Sequence, residues 1–239
     1  MSKPDLKAVL AKPLDDAPRL AYAAALGADP QAELIHLQLK KRTAEASPRE
    51  RALLLAHGTS WLAPVAPLVE NAGFGRGFVQ YASMTADQWL ANAPRLLALA
   101  PILDLHLTGV AGRPQVFAVP ELRHLRSLDL AHNALTDADA KALAASPNVR
   151  GLKWLDLTNN RIGRPGLDAT AASPNLPALK WLGFANNAAP DPVPQPEMDG
   201  AVVAAMTVPP IHAEIVAKVG KKPWLEARHS DSPPSPSDV

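Results

Sequence analysis

The feature that most constrains this chain is a segment that recurs three times at a fixed spacing. The copies read LRHLRSLDLAHNAL from Leu122, NVRGLKWLDLTNNRI from Asn148 and LPALKWLGFANNAA from Leu176. Aligned without a gap they follow L-x-x-L-x-L-x-x-N-x-L with a period of 27 residues. Ile162 replaces the last leucine in the second copy, and Phe184 and Ala189 replace two leucines in the third. A fixed period of this length predicts one structural unit that stacks on the next.

The leucine spacing predicts a short strand in each copy. Alternation across L-x-L directs two apolar side chains to the same inner side. The asparagine follows where the chain leaves the strand, and its amide can both donate and accept hydrogen bonds. We therefore expect Asn133, Asn160 and Asn187 to form a structural ladder that satisfies buried backbone groups, with a loss of about 1–3 kcal/mol for each one removed.

The rest of each period predicts a helix. Thr136 and Asp139 have the spacing of a helix start, and Pro147 stops that helix. In the next copy Gly163 and the following Arg-Pro open a helix that runs to about residue 172. A strand and a helix in 27 residues are typical of the longer leucine-rich repeats. The predicted fold is therefore α/β, a right-handed solenoid with a parallel sheet on its concave face.

A weaker copy precedes the three clear ones. Ile102, Leu105 and Leu107 fit the leucine positions, with Val110 where the asparagine would be. Residues 73–84 predict one further strand, and a cap formed by residues 85 and 88 predicts a helix to about residue 92, before Pro94. The repeats are expected to fill residues 71–190.

The two ends predict structures that cap the repeats. Residues 1–70 predict an α-helical N-terminal cap with helices over 16–26, 29–40 and 47–57, the last one stopped by Gly58. Residues 191–228 predict a C-terminal cap. It would contain a proline-rich loop, an edge strand over 201–206, an amphipathic helix over 209–220 and an aromatic anchor at Trp224. Residues 229–239 predict a disordered tail.

Residues 14–42 resemble the bacterial repeat-companion domain, which precedes leucine-rich repeats. The matching positions are Asp16, Pro18, Arg19, Leu20, Tyr22, Ala23, Asp29, Pro30, Ala32, Glu33, Ile35, Leu37 and Gln38. Ala24 and Ala25 depart from the pattern, since that family has Asp-Trp there. The resemblance implies a bacterial source and an order of parts; that family has no established reaction, so no activity is implied.

Composition excludes several classes of function. Lys and Arg number 24 against 23 Asp and Glu, so no global charge attracts nucleic acid or an acidic membrane. The chain has no cysteine, which removes thiolate metal sites and cysteine nucleophiles. No apolar run has the length of a signal peptide or a membrane span, so we expect a cytoplasmic protein. No phosphate loop, dinucleotide fingerprint or nucleophile elbow occurs. We therefore expect no enzyme, with no catalytic residue, cofactor or metal.

The candidate binding residues are the outward positions of the predicted strands. One column runs Asp104, Ser127, Trp154, Trp181 and the next runs His106, Asp129, Asp156, Gly183. Trp154 and Trp181 are expected to stack and to lie exposed, as an aromatic anchor beside acidic side chains. Replacing either by Ala would then abolish partner binding and leave the thermal melt nearly unchanged. In the alternative, the C-terminal segment around Trp224 half covers both indoles.

His106, Asp129 and Asp156 also have the chemistry of metal ligands. Three ligands in a straight row do not easily converge on one ion, so a solvated polar face is the preferred interpretation.

The predicted function is a non-enzymatic protein–protein interaction module. The concave face would bind a protein or peptide that carries apolar and basic residues, with the chain as a monomer or as part of a hetero-complex. One alternative is a structural subunit of a larger complex. Another is a regulator of a small GTPase, because the period is similar to that of leucine-rich GTPase activators, although no catalytic residue can be carried over.

Overall fold

The computed structural model describes residues 4–40, 47–193, 195–199 and 202–226. The chain divides into two compact units. The first unit comprises Met1–Met84 and Ala91–Leu103, and the second unit comprises Thr85–Leu90 and Asp104–Val239. None of the helices in the described part of the chain is both long enough and apolar enough to cross a membrane.

The first unit begins with four helices. They are α1 (Lys7–Ala11), α2 (Asp16–Leu26), α3 (Pro30–Lys40) and α4 (Pro48–Leu62). The expected end of α4 near His57 is wrong, because the helix continues through Gly58 to Leu62. A glycine inside a helix costs only about 1 kcal/mol. Gly58 is buried close to the ring of Phe74, so packing of the helix outweighs that cost.

A hairpin follows the helices, where the sequence predicted one strand over 73–84. Strands β1 (Asn71–Gly75) and β2 (Phe78–Thr85) pair in antiparallel fashion. Arg76 and Gly77 join them with φ of 52° and 85°. Two successive residues with positive φ form the tight turn that suits the twist of a hairpin. The single strand was wrong because this turn reverses the chain in its middle.

Side chains from α2 and α3 hold that turn. The buried Arg19 donates to the carbonyl oxygens of Arg76 (3.1 Å) and Pro13 (2.7 Å). Gln38 Oε1 accepts from the backbone N–H of Gly77 (2.6 Å). A Cβ at Gly77 would lie 2.1 Å from Cγ1 of Ile35, so only glycine fits at this close approach. Arg19 and Gln38 are two of the residues that carry the resemblance described above.

Helix α5 (Ala86–Leu99) is longer than predicted. Its start matches the expected cap, since Thr85 Oγ1 accepts from the N–H of Gln88 (3.2 Å) and Gln88 Oε1 from that of Thr85 (2.9 Å). The expected end before Pro94 is wrong. A proline inside a helix costs about 3 kcal/mol, but Ala93 and Leu96 continue the buried stripe that begins at Trp89.

The second unit contains a parallel sheet of four strands in chain order. They are β3 (Asp104–Thr108), β4 (Ser127–Asp129), β5 (Trp154–Asp156) and β6 (Trp181–Gly183). Helix α6 (Asp137–Ala145) follows β4, and α7 (Arg164–Ala171) follows β5. Two 3-10 turns, Pro114–Ala118 and Pro120–His124, connect β3 to β4, which fits the shorter spacing of this weaker repeat. The inward leucines of these strands, such as Leu128 and Leu155, are fully buried.

The asparagines form a continuous ladder at the strand ends. Asn133 Oδ1 accepts from the N–H of Val110 (3.0 Å), and its Nδ2 donates to the carbonyl of Leu107 (2.8 Å). Asn160 and Asn187 make the equivalent bonds one and two repeats further along. Each amide therefore joins its own turn to the turn of the preceding repeat.

The C-terminal part of the second unit differs in one element from the prediction. Strands β7 (Gln195–Asp199) and β8 (Val202–Thr207) form a separate antiparallel pair. The strand expected over 201–206 is present as β8, but its expected place as the last edge strand of the repeats is wrong, because β8 pairs with β7 and not with the parallel sheet. Helix α8 (Pro210–Val219) packs against α7, and α9 (Pro223–Glu226) packs against β6. The tail expected over 229–239 lies outside the described residues.

Candidate functional site

The outward residues of β3 to β6 lie in the columns that the sequence predicted. Asp104 pairs with Ser127, Ser127 with Trp154, and Trp154 with Trp181. In the next column His106 pairs with Asp129, Asp129 with Asp156, and Asp156 with Gly183. Because neighbouring strands lie about 4.8 Å apart, side chains of one column contact each other directly. These two columns form the outward face.

The two tryptophans stack, as expected. The indole rings of Trp154 and Trp181 have centroids 4.6 Å apart and an interplanar angle of 11°. The expectation that they lie exposed is wrong, since Trp154 is 5% exposed and Trp181 3%. An aromatic anchor that a partner reaches without rearrangement is therefore excluded at this position.

Two features account for this burial. A Cβ at Gly183 would lie 2.5 Å from Cη2 of Trp181, so the indole occupies the space that a side chain at Gly183 would take. In addition α9 packs against β6, and its Trp224 is itself buried. The alternative in which the segment around Trp224 covers the indoles is thus closer to the structure than the exposed pair.

The opposite end of the outward face is more accessible. Asp104, His106 and Asp129 are half-buried, while Ser127 between them is buried and donates from its hydroxyl to Asp104 Oδ1 (2.9 Å). Asp129 Oδ1 accepts from the N–H of Ala131 (2.9 Å), which fixes the carboxylate at the end of its strand. This end of the face therefore presents carboxylates in a defined position to solvent.

Asp156 stands between the two ends. Burial raises the pKa of its carboxyl, and the negative charge of Asp129 on the next strand raises it further. A hydrogen bond from the N–H of Thr158 (2.8 Å) works in the opposite direction by stabilising the carboxylate. Asp129 and Asp156 thus create a region of negative potential, and a cation placed there would stabilise the charged form of both carboxylates.

His106, Asp129 and Asp156 occupy successive strands in a straight row. Across the part of the chain that the structure describes, no three His, Asp or Glu side chains are grouped closely enough to hold a metal ion. The solvated polar face preferred from the sequence stays a prediction for these three residues.

Sequence reasoning missed two further rows with the same period. Arg126, Lys153 and Lys180 precede successive strands, and the N–H of each lysine donates to the carbonyl of the preceding member (2.8 Å in both cases). At the other strand ends, Asn186 Nδ2 donates to Asn159 Oδ1 (3.0 Å), and Asn159 Nδ2 lies 3.1 Å from His132 Nε2. Reading every column of the repeat, and not only the outward face, would have found both.

Comparison with known proteins bears on the repeats. A family model described as leucine rich repeat matches residues 121–144. This stretch includes β4 and most of α6, so it covers one strand–helix unit. No match is found among curated proteins or among solved structures. The chain therefore contains a leucine-rich repeat.

Proposed function

We propose that the second unit is a non-enzymatic protein-binding module whose outward face contacts a protein or peptide through Asp104, His106 and Asp129. The match to a leucine-rich repeat supports a protein-interaction module. The observation that carries the choice of surface is the register that pairs Asp129, at the accessible end of the face, with the buried Asp156 on the next strand. Adjacent carboxylates repel each other, and a basic side chain of a partner relieves that repulsion.

The partner chemistry follows from the neighbours of these carboxylates. Asp104 and Asp129 are held in place by Ser127 and by the N–H of Ala131, so binding a cation requires little reordering of side chains. The buried tryptophan pair borders the site on one side and supports it without being exposed to the partner. A peptide segment with a Lys or Arg, flanked by residues that pack on the half-buried strand ends, fits this surface.

The finer architecture belongs to the same proposal. Right-handed connections between the parallel strands are proposed because nearly all such crossovers have that hand. A helical N-terminal cap, a cytoplasmic location and a bacterial source remain predictions that rest on the resemblance and on composition.

Affinity pull-down from the source organism tests the proposal. The bait carrying Asp104→Lys with Asp129→Lys should recover at least about tenfold less partner than the native bait, because two attractive contacts become repulsive. The matched control is Asp15→Lys with Glu70→Lys, two exposed carboxylates of the first unit with the same change in net charge. Equal partner recovery by both double variants, with both folded by circular dichroism, would contradict the proposed surface.

A further inference from the structure

A row of cations lies at the beginning of the parallel strands. Its central members are Arg126, Lys153 and Lys180, one from each repeat, joined by backbone hydrogen bonds. Arg123 and Arg150 are exposed and occupy equivalent positions three residues earlier in two of the repeats. These five residues form the basic row. Since the strands are about 4.8 Å apart, like charges lie directly beside each other.

Within the described ranges, no carboxylate forms an ion pair with Lys153 or Lys180 of the basic row. The ion pairs of the second unit within the described ranges join Arg113 to Asp87, two residues within α7, α7 to α8, and Lys221 to Glu226, and none includes either lysine. Arg150 donates to two neutral acceptors, the carbonyl of Pro174 and Asn175 Oδ1. Like charges side by side at the start of neighbouring strands repel each other, and an anion placed along them reduces that repulsion.

A titratable residue lies next to the basic row. His124 lies beside Arg123, with Arg123 Nε 3.3 Å from its Nε2. Burial lowers the pKa of His124, and the charge of Arg123 lowers it further, while Glu121 opposes them. Burial together with the charge of Arg123 thus disfavours the charged form of the His124 imidazole.

The position of the basic row limits the kind of anion that fits. Asp129 and Asp156 end the strands that Arg126 and Lys153 precede, three residues further along the chain and about 10 Å away. A nucleic acid that lay across the strands would bring its phosphates near these carboxylates as well. A protein segment can instead place acidic side chains on the basic row and basic ones on the aspartates.

We propose that the basic row binds an acidic segment of the protein partner. The inference rests on the proposed function and adds a second contact of opposite charge, so that the partner carries acidic and basic side chains on one surface. Both contacts are oriented by the same strands, which fixes the direction in which the partner lies.

A labelled ten-residue peptide of alternating Glu and Ala serves as the probe, with binding to the full chain followed by fluorescence anisotropy. Lys153→Glu with Lys180→Glu should weaken binding at least about tenfold. The control, Lys141→Glu with Arg161→Glu, makes the same charge change at exposed positions of the second unit and should stay within about twofold. Binding by the native chain should weaken as salt rises from low to physiological.

Two outcomes overturn the inference. Equal weakening in both double variants would show that net charge and not the basic row attracts the peptide. A ten-nucleotide thymidine strand that binds as tightly as the Glu-Ala peptide, and is lost in the same variant, would assign the row to nucleic acid.

A third set of measurements separates this inference from the proposed function. Asp104→Lys with Asp129→Lys should retain the Glu-Ala peptide, since those substitutions remove negative charge. If that variant loses the cellular partner while Lys153→Glu with Lys180→Glu retains both the partner and the peptide, the proposed surface stands and the acidic segment is wrong. If only the lysine variant loses both, the inference stands and the aspartate surface is wrong.

Discussion

The two ends of the outward face differ in what they offer to a partner. At β3 and β4, Asp104, His106 and Asp129 are half-buried polar side chains, whereas at β5 and β6 the stacked Trp154 and Trp181 are buried. Both ends share one strand register, so the backbone does not cause the difference. It arises from Gly183, which leaves room for an indole on the sheet, and from α9, which packs on the last strand. A repeat thus determines where a side chain lies, while neighbouring segments determine whether a partner can reach it.

The largest effect is expected at the buried end. Trp181→Ala removes a stacked and almost fully buried indole, so the free energy of unfolding should fall by about 3–5 kcal/mol. Urea denaturation measures this. The matched change at the accessible end is Thr108→Ala, a half-buried residue of β3, which should stay within about 0.5 kcal/mol. Similar losses for both would mean that the two ends do not differ in burial.

This expectation corrects the one drawn from the sequence, where removal of the indole left the melt unchanged. The register and the asparagine positions could be predicted, because the 27-residue period states them directly. The burial of Trp181 was open from the sequence, which offered cover by the segment around Trp224 only as the alternative, since the place that Trp224 takes depends on an intervening hairpin and helix. For the same reason the turn at Arg76 escaped prediction: Arg19 and Gln38, which hold it, lie far away in the sequence.

A second test asks whether the accessible end of the outward face contributes less to the stability of the fold than the buried end. Asn133 joins the turns that follow β3 and β4, and Asn160 joins the turns that follow β4 and β5. Both side chains are buried, and their amides form hydrogen bonds with backbone groups of the preceding repeat. Each Asn→Ala change should lower the free energy of unfolding by about 1–3 kcal/mol, with Asn160 at the upper end because its Oδ1 accepts from two N–H groups. A negligible loss at Asn133 alone would show that the accessible end is loosely held.

A third test addresses the space that the tryptophan occupies. In Gly183→Ala the new Cβ would meet Cη2 of Trp181 and Oδ1 of Asp156, each at 2.5 Å, so the indole must shift at a cost of about 1–3 kcal/mol. Near-ultraviolet circular dichroism should report the altered tryptophan pair. Gly58→Ala is the control of opposite sign, because it meets only an ordinary contact at 3.9 Å in a helix and should stabilise slightly. An unchanged spectrum and stability in Gly183→Ala would refute the packing described for this end.

The smallest effect concerns Asp156, between the two ends. Its folded-state pKa is raised, so its contribution to stability is greatest below the unfolded value near 3.8 and is lost as pH rises through the folded value. Asp156→Asn keeps an oxygen for the N–H of Thr158 and removes the buried charge. The variant should therefore be more stable than the native chain at pH 7, by a margin that shrinks as the solution is acidified through the folded pKa. Thermal melts across this range test it, and a margin independent of pH would contradict the assignment.

The most direct test of the account compares the two ends in binding. Partner recovery by pull-down is measured for Asp104→Lys with Asp129→Lys and for Trp154→Phe with Trp181→Phe, which keeps aromatic rings in the buried pair. We expect the aspartate variant to lose the partner and the phenylalanine variant to retain it. Retention by the aspartate variant together with loss in the phenylalanine variant would place the contact on the tryptophans and contradict the account.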